Sequence, residues 1–396
     1  MNITTEKVPT PVNKTIENTK QMLKDSLQFF TKMKESQLTF IVTVLIFILL
    51  IIGLLVYLYY SVYLKKRECS ISSAIYGDIN KYILNIDFNN KKNQYTFKDY
   101  YIKSAYNACS IGNYKNDYVD TCILKDIIKQ GVRGLDFEIF SIGNQPVVAT
   151  STSDSFYVKE TFNYVPFSSV MSIINNYAFT NSSAPNPLDP IIIHLRIKSN
   201  NQTMFTNFAK ILEPYVNSSR LLGPEYSLIN YNQNFGDIPL SKLKNKIVII
   251  VDGKDNNSPF QNEQFIEYIN MKSNGNYMRA LHYYDIKNAQ PSGDELITFN
   301  KTGMTLGMPD KGENPPNPSS IVMRETGCQL IAMRYQLIDG NIEINNIFFD
   351  DNNSAFVLKP DNLRYIPDMI PIPPMQNPQL SYATRTIQSD FYKFDI

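Results

Sequence analysis

From Leu38 to Leu64 the chain runs 27 residues without a charge, LTFIVTVLIFILLIIGLLVYLYYSVYL. A helix of that length reaches ~40 Å, more than the ~30 Å hydrocarbon core of a bilayer, so it can span with tilt. A helix buried in a soluble core usually keeps a polar face, and Thr39, Thr43 and Ser61 form none. A cleaved signal peptide does not fit, because the run is too long, starts too far from Met1 and lacks a small-residue cleavage site. Tyr57, Tyr59, Tyr60 and Tyr63 resemble an aromatic belt at the C-terminal interface. The chain reads as a single-pass membrane protein that holds a mostly polar globular region at a bilayer.

Lys65, Lys66 and Arg67 follow the span at once, whereas Lys32 and Lys34 before it are diluted by Glu35. The positive-inside rule therefore leans toward a cytoplasmic C-terminal region. Sequons such as Asn181-Ser182-Ser183 and Asn201-Gln202-Thr203 are expected by chance in so Asn-rich a chain and do not fix the side. The 396 residues, 43% apolar and 19% charged, suffice for one large domain or two smaller ones. A net charge of +1 with scattered Lys and Arg gives no reason to expect nucleic acid as a partner. Cys69, Cys109, Cys122 and Cys328 include no C-x-x-C pair, which removes a zinc site of the usual spacing. Reduced thiols are the favoured state, although an even count leaves disulfides open. The juxtamembrane Cys69 is only a weak palmitoylation signal, and an unmodified thiol is expected.

Residues 1–37 read as a polar, partly helical tail and 65–95 as a connector. From about Thr96 helical and strand-like stretches alternate. Tyr118–Gln130 has apolar Val119, Ile123 and Ile127 at helical spacing and stops at Gly131. Val132–Phe140 alternates as a strand, with Asp136 and Glu138 on one face and Leu135, Phe137 and Ile139 on the other. Val147–Ala149 is a short strand, Phe167–Phe179 a helix, Pro190–Lys198 a strand, Gln202–Tyr215 a helix and Lys246–Asp252 a strand. Further units fall at Cys328–Gln336, Ile347–Phe349 and Ala355–Lys359. This rhythm predicts a helix-covered parallel sheet, either doubly wound or a (β/α)8 barrel. Residues 255–320, rich in Asn, Gly and Pro, read as an insertion between two halves, 96–254 and 321–366. The tail 367–396 carries Pro367, Pro371, Pro373, Pro374 and Pro378 and reads as a tether or strap.

These segments resemble the eukaryotic-type phosphoinositide-specific phospholipases C. SAYNAC, VRGLDFEIF, DPIIIHLRIKS and LKNKIVIIVD are similar to the X half of their catalytic barrel. GCQLIAMRYQ and FFDDNNSAFVLKPDNLR are similar to the Y half, in the right order. The resemblance implies a distorted TIM barrel of the phospholipase-C-like phosphodiesterase type. Its site would lie at the C-terminal strand ends, and the transmembrane helix would be its anchor.

Cleaving a phosphoinositide needs a base for the inositol 2-hydroxyl, an acid for the leaving group and positive charge on the phosphoryl oxygens. The family supplies these with two histidines and a calcium ion. Carried across residue by residue, Tyr106 takes the place of the first histidine, and Thr150 is nearest the second. Asn107, a calcium ligand in the family, is kept, and Asp136 and Glu138 keep the paired acids with their lengths exchanged. The remaining acidic ligand is replaced by Arg196. The chain has only two histidines, His194, expected in the barrel interior, and His282, expected in the insertion. Lys254 falls near the family's headgroup-binding lysines and equally reads as a solvated turn. Arg196 is expected to pair with Asp136 and Glu138 where calcium would have bound, or to snorkel to solvent, or to replace the metal as stabiliser of phosphoryl charge. The reading that follows is a membrane-anchored scaffold with no bound calcium and no phosphodiesterase activity. It would bind the bilayer and either a phosphoinositide headgroup or a protein partner. The rival is an active lipid phosphodiesterase with a non-standard site.

Overall fold

Eight parallel strands form the frame: β1 Tyr100–Ala105, β2 Gly134–Ile142, β3 Ile191–Ile197, β4 Ile247–Asp252, β5 Met271–Ser273, β6 Met278–His282, β7 Met304–Met308 and β8 Leu330–Met333. The computed structural model describes residues 11–32, 35–90, 93–155, 157–254, 256–288, 294–367 and 382–396. The hydrogen-bonded order is β5-β4-β3-β2-β1-β8-β7-β6, so strands adjacent in sequence are adjacent in the sheet except at one seam. That seam lies between β5 and β6, which residues 274–277 alone connect. Parallel neighbours need a crossover of a dozen or more residues, so these two strands form no ladder and the barrel is nearly, not fully, closed. The expected (β/α)8 class is found. Strands of such a barrel are buried on both faces, and every residue of β3 is buried, the charged ones included.

The stretch expected as an insertion, 255–320, supplies β5, β6 and β7 and the helices Tyr283–Asn288 and Asp294–Thr302. The three strands are three to five residues long, and the Asn- and Pro-rich turns between them mask their alternation. Ile347–Phe349 lies inside a helix, Gly340–Asp351. Pro371, Pro373, Pro374 and Pro378 of the expected tail lie outside the described residues; beyond them Thr386–Gln388 and Lys393–Asp395 pair as an antiparallel hairpin.

On the N-terminal side, α1 spans Pro11–Lys32 and α2 spans Glu35–Leu58. Within α2, Gln37–Leu58 is long and apolar enough to cross a membrane, and none of it packs inside the protein. One turn of π-helix, Tyr59–Tyr63, carries α2 into α3, Leu64–Tyr76, without a break. The connector thus begins as an extension of the apolar helix.

α3 is fastened to α4, Thr121–Lys129. α4 starts where the Asp120 carboxylate caps Cys122 N–H at 2.8 Å. It buries Ile123, Leu124, Ile127 and Ile128 against the barrel. It ends at Gly131, whose φ of +76° suits glycine and where a Cβ would lie 2.8 Å from Ile83. Cys69 of α3 and Cys122 of α4 form a disulfide with Cα atoms 5.8 Å apart. This corrects the expectation of reduced thiols for that pair, and of an unmodified Cys69. The sequence separation of 53 between the two cysteines concealed that α3 returns along α4. Cys109 and Cys328 are free and buried. Lys65 pairs with Asp120 at 2.6 Å, and Ser72 and Ser73 donate to Asp126 at 2.8 and 3.1 Å.

Helices α5, Phe167–Tyr177, and α6, Gln202–Asn217, cover β2 and β3. Phe137, Phe167, Phe208 and Phe265 stack in sequence, with ring centroids 6.5, 4.5 and 4.6 Å apart. Truncating such a fully buried ring costs about 3–5 kcal/mol. The wall they build sets the height and register of β2 and β3, whose upper ends carry the site.

Candidate functional site

The parallel register pairs Asp136 of β2 with His194 of β3, and Glu138 with Arg196. Side chains two apart on a strand share a face, so all four enter the barrel, the second pair nearer the C-terminal mouth. Gly134, one layer deeper, meets β1 closely: a Cβ there would lie 2.1 Å from Ser104 Oγ. Tyr106 and Asn107 follow β1 directly, Asn107 at a φ of +46°.

The Arg196 guanidinium sits among these groups. Its Nε donates to Asp136 Oδ1 at 3.0 Å and its Nη1 to Glu138 Oε1 at 2.7 Å. Its Nη2 donates to Asp136 Oδ2 and to Asn107 Oδ1, both at 2.8 Å. Four of the five guanidinium hydrogens are thereby used. The ring of Tyr106 lies 4.5 Å from the guanidinium carbon. Burial works against every charge here, but the opposing ions outweigh it. Arg196 is held well above its usual range by Asp136, and Asp136 well below its own by Arg196 and His194. Of the three sequence expectations for Arg196, the internal ion pair is the arrangement present; it does not snorkel, being 2% exposed.

The remaining acceptor positions are taken as well. Glu138 Oε2 accepts from Ser151 N–H at 2.7 Å, and Asp136 Oδ2 from Asn107 N–H at 3.2 Å. Calcium needs six to eight oxygens at about 2.3–2.6 Å. Here the oxygens of Asn107, Asp136 and Glu138 converge on guanidinium nitrogens, so these residues do not fit a calcium ion.

His194 lies below this layer. Its Nδ1 is 2.7 Å from Asp136 Oδ1 and its Nε2 is 2.8 Å from Ser273 Oγ on β5. Asp136, His194 and Ser273 have the spacing of a nucleophile triad, but none is more than 1% exposed, so no substrate reaches the hydroxyl. Tyr106 is 2% exposed, and burial holds its phenol well above its usual range, the wrong direction for a base. The Thr150 hydroxyl donates to Tyr114 C=O at 2.9 Å and faces no reacting position. Lys254 is exposed at the rim, apart from the ion-pair cluster, and its backbone N–H donates to Asp252 Oδ1 at 3.1 Å.

Sequence reasoning missed three groups. His282 ends β6, so it stands at the mouth and not in an insertion. Its Nδ1 faces Pro309 C=O at 2.7 Å and its Nε2 faces Asp154 Oδ2 at 2.8 Å. Lys311, just past β7, lies 2.5 Å from Asp154 Oδ1 and donates to Tyr106 Oη at 3.2 Å. The alternation of MRALH was the one signal that could have placed His282. A cavity beside Asp154, lined by Tyr157, Arg196, Ile197, Lys198, Asp252 and Asn256 as well, holds about 10 Å³.

Residues 94–252 match the family model for the phosphatidylinositol-specific phospholipase C X domain, and residues 256–362 match the one for the Y domain. Among solved structures, PLC21 of L. pealei superposes with a TM-score of 0.55 at 16% identity, over 69% of this chain and 38% of that one. PLC21 of S. officinalis gives 0.53 at 16% identity, over 70% and 39%. The chain thus spans about two fifths of the length of either. No curated protein matches.

Proposed function

We propose that this chain, which belongs to the phosphatidylinositol-specific phospholipase C family, is a membrane-anchored member whose barrel binds and no longer cleaves. The observation that carries this reading is the Arg196 guanidinium seated between Asp136, Glu138 and Asn107. By the resemblance, Asn107, Asp136 and Glu138 stand where the family would hold its metal, and Tyr106 and Thr150 where it places histidines. Each missing acid or base is worth about 10²–10⁴ in rate, so losing both costs at least about 10⁴. The space at the mouth bears on the loss of cleavage alone. Ligand pockets run to about 300–1,000 Å³, whereas about 10 Å³ barely admits one water.

The test is the full chain in detergent, given phosphatidylinositol or its bisphosphate, with calcium or with chelator, and followed for diacylglycerol. The expected outcome is no release above background in any arm. Calcium-dependent turnover at ordinary enzyme rates would sink the reading. A second reading, residual hydrolysis through His282, is favoured by the placement of His282 and Asp154 at the mouth. It requires release of the histidine from Asp154, and any turnover it supports disappears in His282→Ala.

The same proposal includes an orientation. Within twenty residues of the apolar run, Lys20, Lys24, Lys32 and Lys34 precede it and Lys65, Lys66, Arg67 and Lys81 follow, a balance of four to four. What breaks the tie is Cys69–Cys122, because structural disulfides persist in oxidising compartments and are rare in the cytosol. We therefore place the barrel on the extracytoplasmic side, against the lean of the three cations at the helix end. Phosphoinositides concentrate in the cytoplasmic leaflet, so a barrel on the opposite side has little call for the family's reaction.

A further inference from the structure

Above the Arg196 layer, one carboxylate is the shared partner of basic side chains from three separate barrel strands. Asp154 belongs to the Ser- and Thr-rich segment that follows the strand Gln145–Ala149. His282 Nε2, from the end of β6, lies 2.8 Å from its Oδ2. Lys311 Nζ, from beyond β7, lies 2.5 Å from its Oδ1. Lys198 Nζ, from beyond β3, is 3.7 Å from Oδ1 and donates to the Asp154 carbonyl oxygen. Arg196 Nη1 lies 3.7 Å from Oδ1. Burial would raise the Asp154 pKa, but His282 and Lys311 hold it far below its usual range.

The charge bookkeeping separates this group from the one beneath it. Arg196 already faces two carboxylates of its own, Asp136 and Glu138. Among the described residues, Lys198 and His282 have ion-pair contacts with no carboxylate other than Asp154, and Lys311 has only a 3.8 Å approach to Glu138 besides. The barrel framework therefore supplies the basic groups, and a loop supplies the anion. Side-chain exposures of 8% for Lys198, 13% for His282 and 25% each for Asp154 and Lys311 leave one side of the group open to solvent. The cavity beside Asp154 and Lys198 holds about 10 Å³, so it admits no second anion while Asp154 is in place.

We infer that Lys198, His282 and Lys311, with Arg196 behind them, form a binding site for a phosphate group, and that Asp154 is its built-in occupant. A carboxylate and a phosphate offer the same oxygen acceptors to ammonium, imidazole and guanidinium donors, so one can replace the other. The ligand enters by displacing the loop carboxylate, which makes the site closed at rest. The inference rests on the reading of the barrel as a binding module, and it names the chemistry bound. A tethered competitor has an effective concentration in the millimolar range, so the parent should bind phosphate weakly and only in competition with Asp154.

The experiment uses the full chain in nanodiscs and measures phosphate binding by calorimetry. Asp154→Ala and Asp154→Asn are both expected to tighten binding of inorganic phosphate at least about tenfold. Adding Lys311→Ala to either variant should abolish the gain. Thermal melting of each variant establishes that it is folded, and Asp154→Asn keeps the shape should Asp154→Ala fail to fold. Inositol phosphates in solution and vesicles carrying a phosphomonoester lipid, against vesicles without it, form the remaining arms. A gain with soluble ligands identifies a free phosphate compound, and one confined to the lipid vesicles identifies a headgroup; either supports the site. No gain in folded Asp154→Asn with any of these ligands, or a gain that survives Lys311→Ala, overturns it. That failure is separable from failure of the non-cleaving reading, which the diacylglycerol assay measures on the parent chain.

Discussion

At position 196 a guanidinium is enclosed by five oxygen and ring contacts, and it is the residue on which the chemistry turns. Burying three ionised groups costs several kcal/mol each, repaid by pairing and hydrogen bonds only while all three remain. Removing the arginine alone would leave two uncompensated carboxylates, at a cost of about 3–5 kcal/mol. Replacing it by an acid makes a sharper test. Arg196→Glu returns the carboxylate that the family carries here and leaves four oxygen-bearing side chains facing one point. The variant is expected to melt well below the parent without metal, and to recover with calcium. At calcium a hundredfold above its dissociation constant the gain is about 2.7 kcal/mol. The parent's melting temperature should not respond to calcium, and a parent that does respond contradicts the ion-pair account.

Among the elements, the strand Phe356–Leu358 shows how a buried charge can pin several pieces together. Lys359 follows it, 1% exposed, and donates to Asn300 C=O at 2.7 Å, in the helix Asp294–Thr302. It also reaches Gly327 C=O at 3.5 Å, in the turn before β8. Burial pushes its pKa down to about 7, Asp99 opposing only in part. Between about 7 and the free-lysine value of 10.5 the unfolded chain binds the proton that the folded chain has lost. Stability contributed by this residue therefore rises with pH across that window and is lowest below it. Lys359→Met is expected to flatten that rise, read as the difference between urea midpoints at pH 7 and pH 9. Equal slopes in parent and variant would contradict the placement. The elements differed in how plainly the sequence announced them. α4, β2, β3 and β4 were legible because each holds one period over six or more residues. β5, β6 and β7 were not, because three to five residues are too few to separate a strand from a turn. The lower site was legible for the same reason: period two puts Asp136 with Glu138 and His194 with Arg196. The upper site joins Asp154 to His282 across 128 residues, a closeness that belongs to the closed barrel and leaves no local trace.

For the molecule as a whole, the decisive unit is the rod from Glu35 to Tyr76, apolar at one end and cross-linked to the barrel at the other. The proposed orientation makes the sequons with exposed asparagines, Asn181-Ser182-Ser183, Asn217-Ser218-Ser219 and Asn352-Asn353-Ser354, accessible to glycosylation. Full-length chain inserted into sealed microsomes should keep its barrel from added protease and gain mass that a glycosidase removes. The combined substitution of Asn181→Gln, Asn217→Gln and Asn352→Gln should abolish the gain. A barrel digested from outside the vesicles, or no mass gain, would contradict the orientation. The rod has one more consequence. Tyr118 donates to the carbonyl of Tyr60, so the docking surfaces begin within the π-turn itself and leave no swivel between the apolar helix and the barrel. The direction in which the mouth looks is then set by helical phase. One residue added within the apolar helix, ahead of Leu58, would turn the whole barrel by about 100° about the helix axis, and four would leave it about 40° from its starting azimuth.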